Sequence, residues 1–210
     1  MKKYDLYLFD FDGTLVDSLK SLEDVFVLSF REIGVEIKEE DCLQYTRQPL
    51  ELTYNQVHAP MDKIPEFVRA IKYYLNDAEV LKKTELFPGT KEFLTYLHEN
   101  NIKFGIVTSN NEKHVLDVLE FLDIPAERFS IFVDSDKVPE TKPSPKPLLY
   151  ALNELNYLDR EDEVVYVGDA LNDMLAANNA GVDAILIDRI GAFEEADNYI
   201  KVKDLFEIVK

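Results

Sequence analysis

Cysteine is nearly absent: Cys42 is the only one in 210 residues. No disulfide can close within the chain, which fits a reducing compartment. Basic residues are scarce as well. Lys and Arg number 23 against 41 Asp and Glu, for a formal net charge of −18. A protein that tracks nucleic acid or an anionic lipid surface needs the opposite balance, so neither partner is expected. No apolar run approaches the length of a membrane span. The opening MKKYDLYLFDFDG places Lys2 and Lys3 ahead of apolar residues, but Asp5, Asp10 and Asp12 break that run, which argues against a secretory leader. The expectation is a cytoplasmic protein. There is no internal repeat and no low-complexity tract.

What is present is an alternation. Apolar content of 46% and charged content of 30% are those of an ordinary globular chain, long enough for one large domain or a core with an insert. Tyr4 to Phe9 reads as a buried strand. Leu19, Leu22, Phe26, Phe30 and Ile33 keep helical spacing, and Gly34 suits the helix stop. The text stays helical to about Leu81, with breaks at Pro49, Pro60 and Pro65. Helix and strand then alternate: a helix from Thr90 to Asn100, a strand from Lys103 to Thr108, a helix from Glu112 to Leu122 and a short strand from Ile131 to Val133. Ser144 and Pro145 open a helix to about Leu155. A strand from Glu163 to Val167, a helix from Asn172 to Ala180 and a strand from Ala184 to Ile187 follow. Such alternation predicts an α/β fold with a mostly parallel sheet covered on both faces. The helical stretch reads as a domain inserted after the first strand: residues 16–83 inside a core of 1–15 and 84–210.

In open α/β sheets, ligands sit beyond the carboxyl ends of the strands. Four such ends carry chemistry here. The first is DFDGT, Asp10 to Thr14. An Asp-Gly turn alone would be unremarked, but two carboxylates roughly 5 Å apart repel by about 3 kcal/mol at an effective dielectric near 20. The second is Thr108, Ser109 and Asn110, where hydroxyls and free N–H groups can cap a helix or hold phosphate. The third is Lys142 in ETKPSPKPLL. Prolines 143, 145 and 147 stiffen its surroundings; Lys146 competes for the same role. The fourth is VGDALND, with Asp169 and, one helical turn on, Asp173. Several carboxylates at one sheet edge call for a hard cation, and oxygen-only ligands suit Mg²⁺. Asp10, Asp12, Asp169 and Asp173 are the candidate ligands.

This ordered set resembles the haloacid dehalogenase superfamily of phosphohydrolases, in its phosphoglycolate-phosphatase-like branch with a helical cap after the first strand. DFDGTLVDS and VGDALND carry the likeness, which spans nearly the whole chain. It implies a Rossmann-like doubly wound core and a Mg²⁺-dependent phosphatase acting on a small phosphorylated molecule such as phosphoglycolate, a sugar phosphate or a nucleotide. By position, Asp10 matches the nucleophile that becomes an aspartyl-phosphate. Asp12 matches the acid and base, Thr108 the phosphate-binding hydroxyl, Lys142 the steadying cation, Asp169 a metal ligand and Asp173 a ligand or supporting acid. Two positions depart from the pattern. Thr141 stands where relatives often have glycine, and Arg47 in TRQPL replaces a glycine of the cap. Arg47 is therefore a candidate for substrate specificity, against the plainer reading of a surface residue pairing with Glu51.

A sugar-phosphate mutase of the β-phosphoglucomutase kind would keep both acids and is the main enzymatic alternative. Its relatives carry an early cap histidine, whereas His58, His98 and His114 are scattered and read as surface or core residues. A non-catalytic phospho-acceptor or binding module would not need Asp12.

Overall fold

The computed structural model describes residues 2–46, 48, 50–193 and 198–210; Arg47 lies outside them. The chain forms two units. One comprises Met1–Val16 and Leu86–Lys210, and the other Asp17–Glu85.

The first unit is built on a sheet whose strands are β1 (Leu6–Phe9), β4 (Lys103–Val107), β5 (Phe132–Val133), β6 (Val164–Gly168), β7 (Asp183–Ile187) and β8 (Ile200–Val202). Two-residue strands β2 (Val16–Asp17) and β3 (Glu85–Leu86) mark where the chain leaves this unit and returns. The sheet order is β5-β4-β1-β6-β7-β8, and every neighbouring pair is parallel. This is the α/β architecture expected of the alternation. Parallel strands are covered on both faces, which is why LYLF in β1 is apolar throughout and wholly buried. Alternate residues serve alternate faces. Leu6 and Leu8 join Val107, Val164 and Tyr166 under α8 (Lys146–Leu155) and α9 (Leu171–Ala180). Phe9 faces the other way. Its ring meets Phe93 of α6 (Thr90–Glu99) edge-on at 5.9 Å, and Phe93 meets Phe206 of the terminal turn at 5.4 Å. Burying each such side chain contributes about 1.5–3 kcal/mol. The remaining helix, α7 (Glu112–Phe121), starts at Asn111, whose side chain accepts the His114 N–H at 2.9 Å.

The second unit is helical: α1 (Leu19–Glu32), α2 (Glu39–Thr46), α3 (Leu50–Gln56), α4 (Ile64–Tyr74) and α5 (Ala78–Leu81). Its core is aromatic. Phe30 and Phe67 lie 4.3 Å apart between ring centres, and Tyr54 packs against both. Among the described residues, no helix is long and apolar enough to cross a membrane.

Some local readings differ from the structure. β8 was not legible in the sequence, for it has three residues and only Val202 is buried. Helix α8 begins at Lys146, with the Ser144 hydroxyl accepting the Lys146 N–H at 3.3 Å.

Candidate active site

Strand β1 sits between β4 and β6, with Phe9 in register with both Ile106 and Val167. Residues after that row leave the sheet at one edge. Asp10 is still tied to the ladder, its N–H donating to Val167 O at 2.9 Å, and the Thr108 N–H donates to Val133 O at 2.9 Å. The chain passes from β1 to neighbours on opposite sides, so this edge is also a topological switch point.

Lys142 reaches this edge from the loop before α8, and its side chain is only 8% exposed. Its ammonium has three protons and three acceptors: Asp10 Oδ1 at 2.8 Å, Asp173 Oδ1 at 2.6 Å and the Tyr166 hydroxyl at 3.1 Å. Tyr166 donates its own proton to Val107 O at 2.8 Å, which turns its oxygen to the lysine. Burial alone would pull the Lys142 ammonium down. Asp10, Asp173 and Tyr166 outweigh that and hold it well above the usual lysine range. Burial pushes the Asp10 carboxyl well up, and Asp173 and Asp169 add to this while Lys142 opposes it. Lys146, the rival cation, pairs with Glu140 with both side chains about half exposed.

Asp169 follows β6, and Asp173 is in the first turn of α9, its Oδ2 accepting the Ala170 N–H at 3.0 Å. Two glycines make room for them. A Cβ on Gly13, whose φ is +80°, would lie 2.4 Å from Asp169 Oδ2, and a Cβ on Gly168 would lie 2.4 Å from the Asp173 carboxylate. One carboxylate oxygen from each of Asp10, Asp169 and Asp173 lies within 4.8 Å of the others. Three carboxyl groups beside one ammonium make an oxygen-only cradle. That donor set fits a hard divalent cation.

Asp12 stands outside this triplet of carboxylates. Its Oδ2 accepts from Asn110 Nδ2 at 2.5 Å, and its Oδ1 is 3.5 Å from His114 Nε2. The step past Phe11 turns its side chain to the start of α7. One Asn110 amide proton is thus engaged with Asp12. Thr108 is buried and its Oγ1 accepts the Asn110 N–H at 3.1 Å, while Ser109 is exposed. Sequence reasoning missed His114, which is fully buried and lies edge-on to Phe11. Its one available signal was its place on the buried face of α7. Tyr166, whose hydroxyl faces Lys142, was missed too.

A sequence profile of the haloacid dehalogenase-like hydrolase family matches residues 7–187. Phosphoglycolate phosphatase of Salmonella typhimurium strain LT2 is 32% identical over 202 residues, covering 84% of this chain and 78% of its own. Pyrophosphatase PpaX of Halalkalibacterium halodurans is 27% identical over 198 residues, covering 94% of this chain and 88% of its own. Among solved structures, a hydrolase of the haloacid dehalogenase-like family from Streptococcus pneumoniae matches with a TM-score of 0.81 at 26% identity, covering 97% of this chain and 96% of that one. The chain belongs to the haloacid dehalogenase-like hydrolase family. Within that superfamily it is a phosphatase, similar to the phosphoglycolate phosphatases.

Proposed function

We propose that the protein is a Mg²⁺-dependent phosphatase that hydrolyses a small phosphate monoester through an aspartyl-phosphate on Asp10. The observation that carries this reading is the 2.8 Å pairing of Asp10 with buried Lys142, beside two more carboxylates.

Asp10 is the nucleophile. One carboxylate oxygen bonds to phosphorus as the ester oxygen–phosphorus bond breaks, which divides one hard displacement into two easier ones. Lys142 orients that carboxylate and faces the transferring group. Asp12 gives its proton to the leaving oxygen, then takes one from the water that releases phosphate. Thr108 Oγ1 already accepts from Asn110, so its hydroxyl proton is available to a phosphoryl oxygen. Asp10, Asp169 and Asp173 would hold Mg²⁺, which when bound neutralises charge on the phosphoryl oxygens. Asp17–Glu85, inserted a few residues after Asp12, serves as the cap that selects the leaving group, with Arg47 as its candidate anion contact.

The named relatives act on phosphoglycolate and, for PpaX, on pyrophosphate by name. Both are small phosphates with a second anionic group, the substrate class favoured here. The test is phosphate release from 2-phosphoglycolate, pyrophosphate, sugar phosphates and nucleotides, with Mg²⁺ and with a chelator. Turnover should need Mg²⁺ and vanish in Asp10→Asn, and acid quench should trap a phosphorylated protein that Asp10→Asn lacks. Asp12→Asn should lose roughly 10²- to 10⁴-fold. Isomerisation of a sugar phosphate without phosphate release would show a mutase, and near-normal turnover in Asp10→Asn would overturn the mechanism.

A further inference from the structure

Arg189 stands beyond the end of β7 and reaches the turn that carries Asp12. Its Nη1 donates to Gly13 O and its Nη2 to Thr14 O, each at 2.7 Å. The guanidinium also lies 3.5 Å over the ring centre of Phe87. The base of the side chain is itself fixed. Asp188 donates its N–H to Val202 O at 2.8 Å, and its carboxylate accepts the Ala192 and Phe193 N–H groups at 2.8 and 3.2 Å.

Two bonds to successive carbonyls fix two peptide planes at once. The inner side of the same turn is held independently: Phe11 O accepts the N–H groups of Thr14, Leu15 and Val16, and the Gly13 N–H donates to Val16 O at 2.8 Å. Asp12 directly precedes these two carbonyls, and Asn110 grips its carboxylate from α7's side. The peptide that follows Asp12 is held through the Gly13 N–H by Val16 O, the next two peptides by Arg189, and the Asp12 side chain by Asn110. A planar fork can make this pair of bonds; the single head of a lysine cannot match it.

We infer that Arg189 is a positioning residue for the proton-transfer group Asp12 and does not itself act on the phosphoryl group. This rests on the proposed role of Asp12 as acid. A proton donor matters most when the leaving oxygen is basic, so the experiment compares two leaving groups. The substrates are 2,4-dinitrophenyl phosphate, whose leaving group needs little protonation, and phenyl phosphate, whose leaving group needs more. The variants are Asp12→Asn, Arg189→Gln, Arg189→Lys and Lys142→Met, with unfolding midpoints measured for each.

Asp12→Asn should lose at least about tenfold more kcat/KM on phenyl phosphate than on the dinitrophenyl ester. Arg189→Gln should show the same bias, with Arg189→Lys between it and the parent. Adding Arg189→Gln to Asp12→Asn should add no further bias, because both act through one group. Lys142→Met should lose equally on both substrates. Equal losses on the two substrates in Arg189→Gln and Arg189→Lys, or no loss, would overturn the inference while leaving Asp12 as acid. Absence of bias in Asp12→Asn would remove the acid assignment and the inference with it. If Arg189→Gln fails to fold, Arg189→Lys carries the decision.

Discussion

Two lysines four residues apart in one proline-rich segment should behave in opposite ways when replaced by methionine. Lys142 is 8% exposed and touches Asp10 and Asp173 at 2.8 and 2.6 Å. At an effective dielectric near 20, each contact is worth about 6 kcal/mol of Coulomb attraction before desolvation is subtracted. Methionine keeps the volume but leaves those carboxylates facing each other and Asp169 without a counter-ion. Breaking a buried pair in this way costs about 3–5 kcal/mol. Lys146 and Glu140 are 60% and 47% exposed, so Lys146→Met should leave stability nearly unchanged. Urea unfolding at pH 7 without metal reads both values. Lys142→Met combined with Asp173→Asn should recover about 1–3 kcal/mol, because one unpaired carboxylate is then gone. A Lys142→Met protein as stable as Lys146→Met, or a double variant with strictly additive losses, would refute the buried-counter-ion argument.

Three further outcomes are expected. Gly13→Ala should lower stability by about 1–2 kcal/mol through its positive φ, and should weaken Mg²⁺ binding because its Cβ claims the space of Asp169; calorimetric titration of Mg²⁺ reads the second effect. Asp169→Asn should raise the Mg²⁺ concentration needed for half-maximal turnover by at least about tenfold, and unchanged Mg²⁺ dependence would take Asp169 out of the ligand set. Arg47→Ala should lower kcat/KM by roughly tenfold on the best dianionic substrate and leave p-nitrophenyl phosphate nearly unchanged; equal losses would return Arg47 to the surface.

The strand ends were legible because parallel strands buried on both faces read as unbroken apolar runs, so the first polar residue after each run marks the sheet edge. That logic placed Asp10, Thr108 and Asp169 without coordinates. It preferred Lys142 to Lys146 on local grounds; the structure buries Lys142 and leaves Lys146 half exposed, and that burial depends on Tyr166 and Asp173 in other elements. The partners of Asp12 were illegible: nothing in SNNEKH says that Asn110 and His114 turn to a carboxylate 98 and 102 positions earlier in the chain. Arg189 was hidden for the same reason, since its acceptors are backbone carbonyls that carry no side-chain signature. The helical text of residues 19–81 announced helices, but their aromatic core around Phe30 and Phe67 comes from pairing between helices that periodicity alone does not assign.

The insertion of a helical unit directly after the central strand imposes an order on synthesis. The strand starting at Leu6 leaves the ribosome before either of its two sheet neighbours, which begin at Lys103 and Val164. At about 5–20 residues per second, the second neighbour follows about 8–30 s later. Throughout that delay the nascent chain carries LYLF as an unpaired, aggregation-prone segment. Asp5 on one side and Asp10 and Asp12 on the other are charged gatekeepers flanking it. Asp10 and Asp12, proposed above for the chemistry of the finished enzyme, thus also protect the unfinished chain.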